Sequence, residues 1–243
     1  MPVNHTCCFS GWLRLAVLSA AVLLLTLGAA TVSAEERGSG AEEAARKLQE
    51  VYDEVTGFKA EFTQVTSVPM SRRQREGAGT VIFRKPHQMR WEYESPDHQV
   101  LVGDGKEVKL YFAGSNQMMI SDVDAYLDSD VTYAFFSGTG DILRDFRVTA
   151  APADERSNLR ADGARALRLE PREPHPQVDY LDLLVGGEPF FIRRLDIVDH
   201  FGSITTLRFS DIQLDPDLPD DFNHFQPPPD TEILRDTPGL SHP

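Results

Sequence analysis

From Phe58 onward, apolar side chains recur at every second position, in short runs broken by turn signals. A strand turns successive side chains to opposite faces, so this period calls for a half-buried sheet. In FKAEFTQV (58–65), Phe58, Ala60, Phe62 and Gln64 share one face, and Lys59, Glu61 and Thr63 the other. The pattern returns at 78–84, 88–94, 98–103, 107–112 and 116–120, then at 164–170, 178–185, 190–198 and 203–213. Lys85-Pro86, Ser95-Pro96-Asp97, Asp104-Gly105 and Gly114-Ser115 punctuate the earlier runs, where turn residues belong. About ten closely spaced strands predict an antiparallel meander.

Helical periodicity is scarce. In EEAARKLQEVYDEVT (42–56), Ala45, Leu48, Val51, Tyr52 and Val55 form one apolar stripe with charges opposite, and Gly57 follows as a stop. Later, DSDVTYAFFSGTGDILRDF interrupts the strands, with two short helices expected over 132–136 and 140–146. So few helices cannot cover both faces of such a sheet. They predict a mainly β (α+β) fold, a strongly curved sheet or open barrel whose concave apolar face the helices lid, which is a ligand site by geometry. The tail from about 227 to 243 is Pro-rich and expected to be extended.

Residues 15–30 (LAVLSAAVLLLTLGAA) carry no charge, Arg14 precedes them, and Val32-Ser33-Ala34 is a small-x-small exit. A basic flank, an apolar stretch too short to span a bilayer and a small-residue exit predict a secretory signal over 1–34, cleaved after Ala34. Residues 35–243 then form a single exported domain. The only cysteines, Cys7 and Cys8, lie before the apolar stretch. Neither a disulfide nor a lipid-anchored cysteine is therefore expected in the mature protein. Its stability must come from its core, which some 200 residues can supply.

The full chain carries 24 Lys and Arg against 38 Asp and Glu, a net charge of −14. Loss of Arg14 with the signal leaves 23 basic groups and a net of −15. That balance excludes nucleic-acid binding through a broad basic field.

Catalytic chemistry finds little support. His87, His98, His175, His200, His224 and His242 have no metal-ligand spacing, and GxSxG, GxGxxG and GxxxxGK[ST] strings do not occur. The acidic groups around Asp122, Asp128 and Asp215 lack the central Gly and terminal Glu of a calcium loop. Neither an enzyme, a metal site nor a cofactor is expected. What stands out is large apolar side chains: Phe62, Phe83, Met89, Trp91, Tyr93, Tyr111, Phe112, Met118, Met119, Tyr133, Phe135 and Phe136. Aromatics and Met make adaptable apolar walls for a flexible chain, and they also fill ordinary cores.

FKAEFTQ (58–64) and GAGTVIFRKPHQMRWEYESPDHQVLVGDGKEVKLY (77–111) resemble the outer-membrane lipoprotein carrier family, LolA. The likeness rests on Phe58, Ala60, Phe62, Gln64, Gly79, Pro86, Arg90, Trp91, Tyr93, Pro96, Asp104, Gly105 and Tyr111 in order, and on FNHFQPPPDTEIL (222–234). The resemblance implies an unclosed antiparallel β-barrel with a lidded apolar face, working in the periplasm as a soluble, unanchored monomer. It implies three partners: acylated lipoprotein cargo, an inner-membrane ABC transporter that releases it, and an outer-membrane acceptor. Three acyl chains hold about 45 methylenes, so exposing them to water would cost about 36 kcal/mol at ~0.8 kcal/mol each. A carrier must offset most of that. On that apolar face, the large side chains Phe62, Phe83, Met89, Trp91, Tyr93, Tyr111, Met119, Phe135 and Phe136 are the acyl-binding candidates, under a lid over 130–146, a choice motivated by the shared parity of positions 83, 85, 89 and 91. Better-known members latch the lid with an Arg just before the hairpin proline. Lys85 stands there in this chain, and a lysine offers rotatable donors rather than a rigid fork. Two rival classes remain: a periplasmic regulator of related half-barrel fold that senses mislocalised lipoproteins, and a secreted lipid-acting enzyme, for which no catalytic constellation is visible.

Overall fold

The computed structural model describes residues 40–69, 74–129, 140–152 and 164–235. Gly40 apart, these belong to one compact unit, Ala41–Pro243. Helix α1 covers 40–54. There follow β1 (Gly57–Ser67), β2 (Gln74–Arg84), β3 (Gln88–Ser95), β4 (Gln99–Asp104), β5 (Glu107–Phe112) and β6 (Gln117–Asp122). Helices α2 (Val123–Ser129) and α3 (Ile142–Asp145) lead to β7 (Phe146–Ala150). The second series is β8 (Arg165–Pro171), β9 (Tyr180–Gly186), β10 (Phe191–Val198) and β11 (Ile204–Leu214), with β12 (Glu232–Arg235) last.

Twelve strands form one sheet in the order β12-β6-β5-β4-β3-β2-β1-β11-β10-β9-β8-β7. Two antiparallel meanders, β1–β6 and β7–β11, are thus joined where β1 pairs with β11, and the end strands β12 and β7 leave the sheet unclosed. The fold is mainly β, as the alternation predicts. Both ladders of β1 are long: Phe58 faces Phe83 on one side and Leu214 on the other. Bulges fall between Lys59 and Glu61, Ala78 and Gly79, and Ile192 and Arg194, where an extra residue bends a strand. At Gly79 a Cβ would lie 1.8 Å from the Glu92 carbonyl oxygen, so the β2–β3 approach admits only glycine.

The sheet curls toward one face. Phe209 on β11 and Trp91 on β3 are three strand spacings apart, about 14 Å on a flat sheet. Their ring centroids are 6.4 Å apart. This concave face carries the main core, which includes Phe58, Phe62, Phe83, Trp91, Leu183 and Phe191, and the helices pack there. The convex face divides. Under β8–β11 it holds ion pairs, Arg168–Asp182 and Arg194–Asp196, the latter carboxylate also accepting from Thr206 Oγ1 at 2.6 Å. Under β4–β6 it holds a smaller apolar cluster of Val100, Val102, Tyr111, Met118 and Ile120, roofed by Phe225.

Three elements go beyond the sequence reading. The first is β7, which pairs with β8, and the second is helix α2. The third is β12, the piece of the Pro-rich tail that runs parallel to β6, with Glu232 opposite Gln117. The helix expected over 140–146 is shorter, because Phe146 already opens β7. The one expected over 132–136 lies outside the described residues, as does the signal segment 1–34.

Candidate functional site

Helix α1 supplies the cover of the concave face. Its stripe is buried at Ala41, Ala44, Ala45, Leu48 and Tyr52, with Val51 half-buried and Val55 buried just beyond the helix. Tyr52 stacks on Phe191 with centroids 5.2 Å apart and planes 12° apart, and meets Phe58 edge-on at 6.5 Å. Phe58 in turn lies 5.9 Å from Phe83. Along β1 the aromatic layer continues through Phe62, whose ring is 4.9 Å from both Trp91 and Tyr93. Val123 and the half-buried Tyr126 of α2 close over the same cluster, as do Ile142 and Leu143 of α3.

Polar contacts fix this cover at a few points. Lys85, in the β2–β3 turn, donates from Nζ to the carbonyls of Tyr52 and, at 3.3 Å, Asp53. Those carbonyls belong to the last turn of α1, which lacks intrahelical partners and carries the negative end of the dipole, so an ammonium suits them. Gln49 Oε1 accepts from the Ile142 amide at 2.9 Å, tying α1 to the first turn of α3. Asp141 caps that turn by accepting from the Arg144 amide at 2.8 Å, and Asp145 accepts from the Asp141 amide in return. Lys47 lies 4.3 Å over the Phe190 ring.

The α1–β1 corner is held by Asp215, which stands just after β11. Its Oδ1 accepts from the Thr56 amide at 2.6 Å, the Thr56 hydroxyl at 2.7 Å and the Gly57 amide at 3.3 Å. The Thr56 hydroxyl and then the Thr56 amide hold this carboxyl below the usual aspartate range. A depressed folded pKa means that the contact stabilises above about pH 4, near the ordinary aspartate value. It is lost as the pH falls through the lower folded value. Asp215→Ala should therefore melt below the parent at pH 7, and the gap should close on acidification below about pH 4. A gap that persists unchanged in acid would show that the charge of Asp215 contributes nothing.

Of the residues singled out from sequence, Phe62, Phe83, Met89 and Trp91 are buried together on the concave face, with Tyr93 half-buried beside them. Met119 pairs with Leu110, and Leu110 with Leu101, which packs against the same cluster. This puts Met119 on the concave side near the β12 edge, where it is 39% exposed and Leu234 opposite it 42%. Tyr111 is a correction. The alternation of β5 sends Val108 to the concave core and Tyr111 to the convex cluster, where its ring lies 5.1 Å from Phe225. Phe135 and Phe136 lie outside the described residues, and so does most of the expected 130–146 lid. Sequence reading passes over Gln49, a single polar residue with no motif around it, and notes Asp215 only within an acidic group that lacks the marks of a calcium loop. It places Tyr52 only in the helix stripe. Among the described residues no group of three His, Cys, Asp or Glu side chains could hold a metal ion. Nor is any described helix long and apolar enough to cross a membrane.

Residues 53–226 match a family model described as outer membrane lipoprotein carrier protein LolA. An outer-membrane lipoprotein carrier protein of Bordetella avium is 28% identical over 215 residues, 88% of this chain and 95% of its own. One from Nitrosomonas europaea is 26% identical, covering 79% of this chain and 89% of its own. Among solved structures, an uncharacterised conserved protein from Thermus thermophilus superposes with a TM-score of 0.50 at 15% identity. It covers 80% of this chain and 98% of its own, and supports the fold alone.

Proposed function

Because the chain belongs to the outer membrane lipoprotein carrier family, LolA, we propose that its concave face binds the acyl chains of lipoproteins and shields them across the periplasm. The observation that carries this is the cover. One broad apolar surface is closed by a helix that is not part of the sheet; among the described residues its chief polar ties are Lys85 to its last turn, Gln49 to α3, and Asp215 to the corner that follows it. Displacing α1 would free that surface for flexible methylene chains, whose transfer out of water is worth about 25 cal/mol per Å² buried. Phe62, Phe83, Met89, Trp91 and Tyr93 form the proposed walls, and Met119 with Leu234 a proposed apolar rim. Lys85 is the proposed latch.

In this reading the cargo arrives from an inner-membrane ABC transporter and leaves to an outer-membrane acceptor, and the carrier works as a soluble monomer. Net acidity fits a shuttle that must not adhere to anionic membrane surfaces. The chemistry is binding and release, with no covalent step and no cofactor.

The test is the native cargo. The tagged protein, recovered from a periplasmic extract without detergent, should hold polypeptides with a triacylated N-terminal cysteine, read by mass spectrometry. Recovery of a membrane-anchored regulator alone, or of hydrolysed lipid, would sink the carrier reading.

A further inference from the structure

Tyr52 is the one member of the buried α1 stripe that carries a polar side-chain atom. The residue is 6% exposed, and its hydroxyl finds no hydrogen-bond partner among the described residues. Two tyrosines of the sheet are served: Tyr93 donates to Gln64 Oε1 at 2.7 Å, and Tyr111 to Asn116 Oδ1 at 3.3 Å. Burial of Tyr52 pushes its phenol well above the usual value, so the group stays a neutral donor.

A phenylalanine would stack on Phe191 and Phe58 equally well and would bury no hydroxyl. Buried donors without acceptors are costly and few in native proteins. The hydroxyl therefore has its use in a second state, one in which α1 has moved and something else fills the concavity. An acyl chain is featureless except at its carboxyl end, where an ester or amide carbonyl accepts hydrogen bonds.

We propose that the Tyr52 hydroxyl donates to an acyl ester or amide carbonyl of the bound lipid, so that the site distinguishes acyl from plain alkyl chains. The inference rests on the acyl-binding reading above. The walls around this point, Phe58, Phe83, Leu48 and Phe191, supply only apolar contact and cannot make that distinction. Tyr52 also lies in the turn of α1 whose carbonyls receive Lys85, so the donor sits on the segment that the proposed latch grips.

Two fluorescent lipopeptides test this, identical except that one carries ester- and amide-linked chains and the other ether- and alkyl-linked chains. The wild-type protein should prefer the carbonyl-bearing probe by roughly five- to tenfold, the scale of one net hydrogen bond. Tyr52→Phe should lose that preference while holding the alkyl probe as tightly as the wild type, and the empty variant should melt no lower. A Tyr52→Phe protein that keeps the full preference overturns the proposal, and so does a wild type that binds both probes equally. A wild type that retains neither probe overturns the acyl-binding reading itself.

Discussion

Lys85→Leu should speed the uptake of a lipopeptide by the empty protein roughly 30-fold. The lysine donates two charge-assisted hydrogen bonds to carbonyls at the end of α1 and sits at the negative end of its dipole. After discounting for its partial exposure, these are worth about 2 kcal/mol to the closed cover. Each 1.4 kcal/mol is a factor of ten in the closed–open equilibrium, so about 2 kcal/mol raises the open population roughly 30-fold. If binding follows opening, the association rate rises by the same factor. Lys85→Arg should move the other way, since a guanidinium fork can hold both carbonyls at once. Stopped-flow fluorescence with a labelled lipopeptide reads both rates. If Lys85→Leu takes up and releases cargo at the parent's rates, Lys85 is not a latch.

Phe62→Ala should have the largest effect on stability together with cargo retention. Phe62 is 2% exposed, its ring tilted against Trp91 and edge-on to Tyr93. Truncating a buried Phe costs about 3–5 kcal/mol through lost transfer energy and the cavity left behind. For a domain of this size that lowers the melting temperature by roughly 6–20 °C. Total stabilities run to about 5–15 kcal/mol, so the protein should remain folded at 25 °C. Retention of acylated cargo should fall with it. Tyr111→Ala is the control from the other face. It removes a ring packed on Phe225 and should also lower the melting temperature, yet leave retention unchanged. Equal loss of retention in both variants would mean that the concave face has no special role.

How far the sequence carries the fold can be read from particular residues. In β1 the alternation Phe58, Ala60, Phe62 meets the burial pattern directly, because one face of that strand is fully covered. The turns at Lys85-Pro86, Asp104-Gly105 and Gly114-Ser115 fall where the hairpins close, since each depends on local backbone chemistry. The pairing of β12 with β6 brings residue 117 beside residue 232, and no local pattern encodes a contact between segments so distant. The β7 strand, FRVTA, is short and follows a helical turn without a break, so nothing in its periodicity separates it from the helix.

The site is legible where strand parity is followed and misread where it is not. Phe62, Phe83, Met89 and Trp91 share a face by counting across the β1–β2–β3 hairpins. Size alone selects Tyr111, although Val108 and Tyr111 stand on opposite sides of the same strand. Gln49 and Asp215 act through backbone amides of partners 93 and 159 residues away, a role that no single residue type announces.

The tail strand bears on how this protein lives among copies of itself. An uncovered β6 would offer Met118, Met119 and Ile120 and a row of open amides and carbonyls, a template for edge-to-edge growth into aggregates. Instead a four-residue strand lies along it, introduced by Pro227, Pro228 and Pro229, which have no amide hydrogens to offer. Asn116 fastens the entry by donating to the Asp230 carbonyl at 3.1 Å, and Arg235 pairs with Glu107 at 3.0 Å at the far end. The described edge is then four residues long and bounded by charges, Glu232 and Arg235. One of the two edges of the unclosed sheet is thereby covered.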